Sequence, residues 1–230
     1  MIQAVLFDLD GTLIETEYET FQFYQEWLKK HKGIIIPDAS FKYKAGVKSD
    51  KFFNDALTPQ QLERFDYQAL VDLKREKFNT EMARYANPVL GGRQLIARLY
   101  DDGLRLAIVS QNERRMVDSV VDWMKIRNFF EIILSMDDIV HKKPDPQCYI
   151  LAAQRLNVSP AKCVVIEDSF DGIRSAKNAG MYCIALFHEY MPAGTYTNAD
   201  SVVHSLKDIT SDMFQKKGGL LRSSSKPAKN

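Results

Sequence analysis

The chain has 230 residues, 45% of them hydrophobic, and carries 31 basic and 30 acidic side chains for a formal net charge of +1. That length suits one large domain, or a domain with an insertion. The balanced charge excludes a general affinity for nucleic acid or an anionic membrane, and no apolar run is long enough to cross a bilayer.

Ile2–Phe7 reads as a buried strand: short, apolar, rich in β-branched and aromatic residues, and ended by Asp8. Thr16–His31 carries Phe21, Tyr24, Trp27, Leu28 and His31 at helical spacing, and Lys32-Gly33 closes it. Ser49–Leu57 and Pro59–Tyr85 read as two further helices. Thr58 is placed as the N-cap of the second, in a capping box with Gln61. From Pro88 the pattern alternates. Helices are expected from Gly91-Gly92 to Tyr100, over Asn112–Met124, Pro146–Leu156 and Gly172–Ala179, and from Ser205 to about Lys216. Strands are expected at Leu104–Val109, Ile132–Leu134, Cys163–Ile166, Tyr182–Leu186 and Ser201–Val203. Strands alternating with helices mean βαβ units. The expected fold is therefore α/β, a doubly wound parallel sheet interrupted after its first strand by a helical insertion. Residues 1–15 and 86–217 would form the core domain and residues 16–85 the insertion. Residues 218–230 are expected to be a disordered tail. The N-terminus shows neither a basic flank nor a signal core, so a cytoplasmic protein is expected. Cys148, Cys163 and Cys183 lack C-x-x-C spacing and read as reduced thiols.

Four signals fall just past strands or in the loops that follow: Asp8 and Asp10; Ser110; Lys143; and Glu167-Asp168. In an open α/β sheet such positions meet at the carboxyl edge of the strands. Several carboxylates gathered at one point stay ionised together only around a cation. All-oxygen ligands and a phosphate-binding role favour Mg²⁺. A hydroxyl and a lysine converging there supply donors for an anion, and phosphate fits. Other polar residues have plainer readings. Lys142 reads as a solvated neighbour of Lys143, Thr12 as a turn residue, Asp137, Asp138 and Asp145 as loop caps, and Asp171 as the cap of the helix from Gly172.

Asp8-x-Asp10-Gly11-Thr12, Ser110, Lys143-Pro144 and Glu167-Asp168-Ser169-x-x-Gly172, in that order, resemble the haloacid dehalogenase superfamily. The insertion resembles its C1-type helical cap. The resemblance implies a phosphatase in which Asp8 is the nucleophile and Asp10 the general acid and base. Mg²⁺ would be held by the Asp8 carboxylate, the Asp10 carbonyl and Asp168, with Glu167 beside it. Ser110, Lys143 and the Gln111 backbone would hold phosphate oxygens. Catalysis by Asp10 requires a proton on it near neutral pH, hence a raised pKa.

The stretch Ala45–Ser49 is similar to the cap loop of the group that contains β-phosphoglucomutase and sugar-phosphate phosphatases. A mutase of that group has a cap histidine and a cap-loop arginine where Thr20 and Ser49 stand here. Hydrolysis of a small phosphorylated sugar or sugar acid is therefore the expected function, with a phosphosugar mutase as the alternative. A phospho-aspartate switch or a non-catalytic binding module is the alternative of another class. Substrate-facing candidates in the insertion are Glu17, Thr20, Lys48 and one of Lys74 or Lys77, with Lys48 preferred. The expected partner is a small phosphorylated molecule, with the chain a monomer or weak homodimer.

Overall fold

The computed structural model of the chain describes residues 1–41 and 49–215. Ala4–Phe7 (β1) is buried along its whole length. It lies between Arg105–Val109 (β4) and Cys163–Glu167 (β6) in a six-stranded parallel sheet. Ile132–Leu134 (β5) flanks β4 on one side. Tyr182–Leu186 (β7) and then Ser201–Val203 (β8) continue from β6 on the other, giving the order β5-β4-β1-β6-β7-β8.

Alternation along β1 sets the layers, because successive side chains leave opposite faces of a strand. Val5 and Phe7 join the core with Leu95, Ile96 and Leu99 of the Gly92–Asp101 helix and Val117, Val120 and Val121 of the Arg114–Trp123 helix. Ala4 and Leu6 face the Gln147–Arg155 and Phe170–Asn178 helices, through Tyr149, Ala152, Ile173 and Ala176. Both faces of the strand are covered, so its run is apolar throughout. Each wholly buried Leu or Phe contributes about 1.5–3 kcal/mol. The chain crosses to β4 on one side of β1 and to β6 on the other, so strand order reverses there. This is the topological switch point at which α/β folds place ligands.

Two crossings join this sheet to the helical stretch between them. Ile14–Glu15 (β2) pairs antiparallel with Asn87–Pro88 (β3), in the register Ile14 to Pro88 and Glu15 to Asn87. Between them run helices Glu17–Lys32, Ser49–Ala56, Pro59–Leu62, Tyr67–Thr80 and Met82–Tyr85. Phe21, Tyr24 and Leu28 pack there on Phe52, Phe53 and Leu70 in an aromatic-rich core of their own.

Three expectations need correction. The single helix read over Pro59–Tyr85 is three pieces. The Thr58 capping box with Gln61 forms, but Asp66 then caps a new helix by accepting from the Gln68 and Ala69 amides at 2.9 and 3.1 Å. Glu81, at φ −124° and ψ 40°, breaks the helix again. The helix ascribed to Asp171 starts at Phe170, and its cap is Ser169, whose Oγ accepts from the Gly172 amide. Ser205 caps only a 3-10 turn over Leu206–Asp208, and the last helix among the described residues is Asp212–Gln215. All three cysteines are free and buried. No helix among the described residues is long and apolar enough to cross a membrane. Lys48 and residues 218–230, for which a ligand and a disordered tail were expected, lie outside the described residues.

Candidate active site

Segments remote in sequence meet at the carboxyl edge of β1, β4 and β6. Lys143 Nζ donates to Asp8 Oδ1 at 2.5 Å and to Glu167 Oε1 at 2.7 Å, with the Val109 carbonyl at 3.3 Å. Its side chain is 4% exposed, whereas the adjacent Lys142 lies in solvent. Local polar contacts fix this loop. Gln147 Oε1 accepts from the Val140 and His141 amides, Asp145 Oδ1 accepts from the Gln147 amide, and Ser175 Oγ donates to the Asp145 carbonyl. Asp145 therefore orders the loop without contacting Lys143, and His141 is exposed. Burial pushes the Lys143 ammonium down, but the Asp8 and Glu167 carboxylates outweigh it and hold its pKa well above the usual lysine range.

Glu167 is wholly buried, and both its oxygens are engaged. Oε1 accepts from Lys143 and from the Tyr149 hydroxyl at 3.1 Å. Oε2 accepts from the Asp168 and Ser169 amides at 2.9 and 2.8 Å and from Ser169 Oγ at 3.0 Å. The carboxylate fits only because position 172 is glycine: a Cβ there would sit 1.6 Å from Oε1.

Asp168 has fewer donors. Thr12 Oγ1 approaches Oδ1 at 3.4 Å, so Thr12, read as a turn residue, reaches the site. Asp168 is raised well above the usual carboxylate range by burial, then by the nearby Glu167 and Asp8 charges. Burial likewise pushes Asp8 up to about 8, against the pull of Lys143. Asp10 stands apart. Its Oδ1 accepts from Thr16 Oγ1 at 3.2 Å and its Oδ2 from Asn112 Nδ2. Burial raises its pKa, while Lys74 and these hydrogen bonds work against the rise. The direction is the one that the sequence demanded of a general acid.

Oxygens of Asp8, Glu167 and Asp168 all lie within 4.8 Å of one another. Three buried carboxylates face one ammonium, a charge imbalance that a hard divalent cation would relieve. Asp8 and Asp168 have oxygens to offer it, while Glu167 has both committed. A cavity of about 430 Å³ opens beside them. Asp8, Asp10, Lys143, Asp168, Gln111 and Asn112 are among the residues that line it. Glu17, Thr20, Ser49 and Lys74 face it from the helical stretch. Lys77, the other member of the pair read from sequence, instead pairs with Glu81 at the surface. Ser110 is buried at the end of β4 but does not line this cavity; its Oγ accepts from the Asn112 amide at 3.1 Å. Asn112, Tyr149 and Thr16 escaped the sequence reading, since each acts on a carboxylate far away in the chain or one turn on.

A family profile described as haloacid dehalogenase-like hydrolase matches residues 5–186. The chain belongs to that family of enzymes. Among its relatives, the CBBY-like protein of Arabidopsis thaliana is 30% identical over 244 residues, covering 95% of this chain and 74% of the relative. The validoxylamine A 7'-phosphate phosphatase of Streptomyces hygroscopicus subsp. limoneus is 28% identical over 218 residues, covering 91% and 95%. The crystal structure of CbbY from Rhodobacter sphaeroides in complex with phosphate is 27% identical, with a TM-score of 0.70 over 90% of this chain and 95% of that one.

Proposed function

We propose that the chain is a phosphatase acting on a small phosphorylated sugar or sugar acid, with Asp8 as nucleophile. The observation that carries this reading is the buried trio Asp8, Glu167 and Asp168 with Lys143 inserted between two of them. Relatives named as phosphatases support it. Residues 16–85 act as the cap, and the paired β2 and β3 crossings are the link on which it moves.

In the first step Asp8 Oδ attacks phosphorus, the bond to the substrate alcohol breaks, and Asp10 gives its proton to the leaving oxygen. In the second a water attacks phosphorus, Asp10 takes its proton, and the bond from phosphorus to Asp8 breaks. Phosphate and the free Asp8 carboxylate result. Lys143 holds a phosphoryl oxygen and neutralises charge at Asp8, and Glu167 keeps Lys143 in place. Asn112 and Thr16 aim Asp10. Mg²⁺, bound by Asp8, the Asp10 carbonyl and Asp168, would neutralise the charge of the transferred group. Gln111 Nε2 is buried with no hydrogen-bond partner among the described residues. A donor left that way costs roughly 1–3 kcal/mol, which a substrate oxygen would recover. Accepting from the Asn112 amide leaves the Ser110 hydroxyl hydrogen free to donate to a phosphate oxygen.

Purified protein with Mg²⁺ is expected to release phosphate from p-nitrophenyl phosphate slowly, and from one or more of a panel of sugar phosphates faster, with EDTA stopping both. Isomerised product without phosphate release would mean a mutase. No turnover on any substrate would refute the hydrolase reading.

A further inference from the structure

We propose that His188, supported by Tyr190, is a positioning residue that ties the Asp10-bearing turn to the crossing into the helical stretch. The inference rests on the phosphatase reading for its kinetic consequence, and on geometry alone for its structural one. His188 lies just beyond β7. Its amide donates to the Tyr196 hydroxyl at 2.8 Å, and the preceding Phe187 amide donates to the Val203 carbonyl at 2.8 Å, so its backbone is held.

The ring reaches across to the first loop. His188 Nε2 lies 2.6 Å from the carbonyl oxygen of Gly11, the residue after Asp10. A carbonyl oxygen only accepts, so Nε2 bears the hydrogen. Gly11 adopts φ +76°, and its own amide donates to the Ile14 carbonyl at 2.6 Å. The turn is thus clamped from both its amide and its carbonyl. The same ring stands 3.9 Å from Asp168 Oδ2 and, through Nδ1, 3.7 Å from Glu15 Oε2.

Tyr190 completes the tie. It stacks on His188 with centroids 5.0 Å apart, and its hydroxyl donates to Glu15 Oε2 at 2.6 Å. Glu15 belongs to β2, and its other oxygen accepts from the Glu17 amide, at the start of the first helix beyond the crossing. The Tyr190 ring also meets Phe41 edge-on at 5.5 Å, and Phe41 packs on Phe21 in the core of the helical stretch. One loop therefore touches the catalytic turn, the crossing strand and the insertion. A group that fixes those three together governs the aim of Asp10 without touching substrate. Small misplacements of reacting groups are costly: about 1 Å can lose on the order of 100-fold in rate.

The test compares His188→Ala, His188→Gln and Tyr190→Phe in the full chain by steady-state kinetics, melting and hydrogen exchange. His188→Ala is expected to lower kcat by roughly tenfold with KM within about twofold. His188→Gln, which restores an N–H at similar reach, is expected to recover most of that loss. Tyr190→Phe keeps the stack, loses the bond to Glu15, and is expected to cost less. An unchanged kcat in His188→Ala, or a loss that glutamine does not recover, would overturn the proposal. Hydrogen exchange does not depend on the reaction. Amides of residues 9–17 are expected to exchange about tenfold faster in His188→Ala, and unchanged exchange there would overturn the proposal whatever the activity. An inactive wild-type protein whose exchange still responds would refute the phosphatase reading and leave the tie standing.

Discussion

Gly172→Ala is the sharpest probe of how Glu167 is held. Gly172 lies in the first turn of the Phe170–Asn178 helix, at negative φ, where alanine is ordinarily favoured by about 1 kcal/mol. The local rule therefore expects stabilisation. The contact geometry expects the reverse. A Cβ would lie 1.6 Å from Glu167 Oε1 and 1.9 Å from its carboxyl carbon, closer than any relaxation of the methyl group could relieve. The carboxylate must move, and Oε1 is the atom that binds Lys143 and Tyr149. Breaking a buried ion pair costs about 3–5 kcal/mol. Setting the helix gain against it leaves a loss of about 2–4 kcal/mol. For a chain of this size that lowers Tm by roughly 5–15 °C. Calorimetry or urea unfolding reads the shift, with Gly92→Ala as a control at a helical position without a positive φ, where an added Cβ makes only ordinary contacts, at 3.5 Å with Leu206 and 3.6 Å with Leu13. A Tm equal to or above that of the parent chain would refute the claim that Glu167 is locked between Lys143 and this helix.

Other consequences follow from the same geometry. Asp10→Asn is expected to lower kcat by about 10²–10⁴-fold with melting little changed, as loss of a general acid and base requires. The pH dependence of stability has a defined sign. A carboxyl raised by burial binds its proton more tightly in the folded chain, so its contribution is whole at low pH and is lost as pH rises. For Asp8 that loss runs from the ordinary value of 3.8 up to about 8. Asp168 is shifted the same way, so Asp168→Asn is expected to melt higher than the parent in EDTA at pH 8, and by less at pH 5. Differential scanning fluorimetry at both pH values reads this, and a lower melting point at pH 8 would count against carboxylate repulsion in the site. Lys74→Ala is expected to raise KM for the preferred substrate severalfold, while Lys77→Ala, at the surface, leaves kcat and KM alone.

Much of the sheet was legible because its strands are short, largely apolar runs, several of them stopped by a charged or hydroxyl residue, as at Asp8, Ser110 and Ser135. Ile132–Leu134, Tyr182–Leu186 and Ser201–Val203 match their expected bounds residue for residue. The carboxylate cluster and Lys143 were legible for the same reason, since parallel strands bring their ends to one edge. Less readable features depend on contacts that periodicity does not encode. The break at Asp66 comes from its carboxylate accepting from the Gln68 and Ala69 amides, and that at Glu81 shows only in its backbone angles, both inside a stretch rich in helix-forming residues. The two-residue strands at Ile14 and Asn87 are too short to show a pattern. The choice of Lys74 over Lys77 was available in principle. Leu70, Lys74 and Phe78 stand four residues apart on one helix face, the one turned inward, with Lys74 Nζ 4.2 Å from the centre of the Phe78 ring. Asn112, Tyr149 and His188 carry no local signal at all. Each earns its place by reaching a partner 102, 18 or 177 residues away.

Covalent catalysis by Asp8 is tested most directly by the stereochemical course at phosphorus, using a substrate whose phosphate is chiral through its oxygen isotopes. Two successive in-line displacements, first by Asp8 and then by water, give retention of configuration, and retention is the expected result. Inversion would mean that water attacks the substrate directly, and would contradict an aspartyl-phosphate on Asp8.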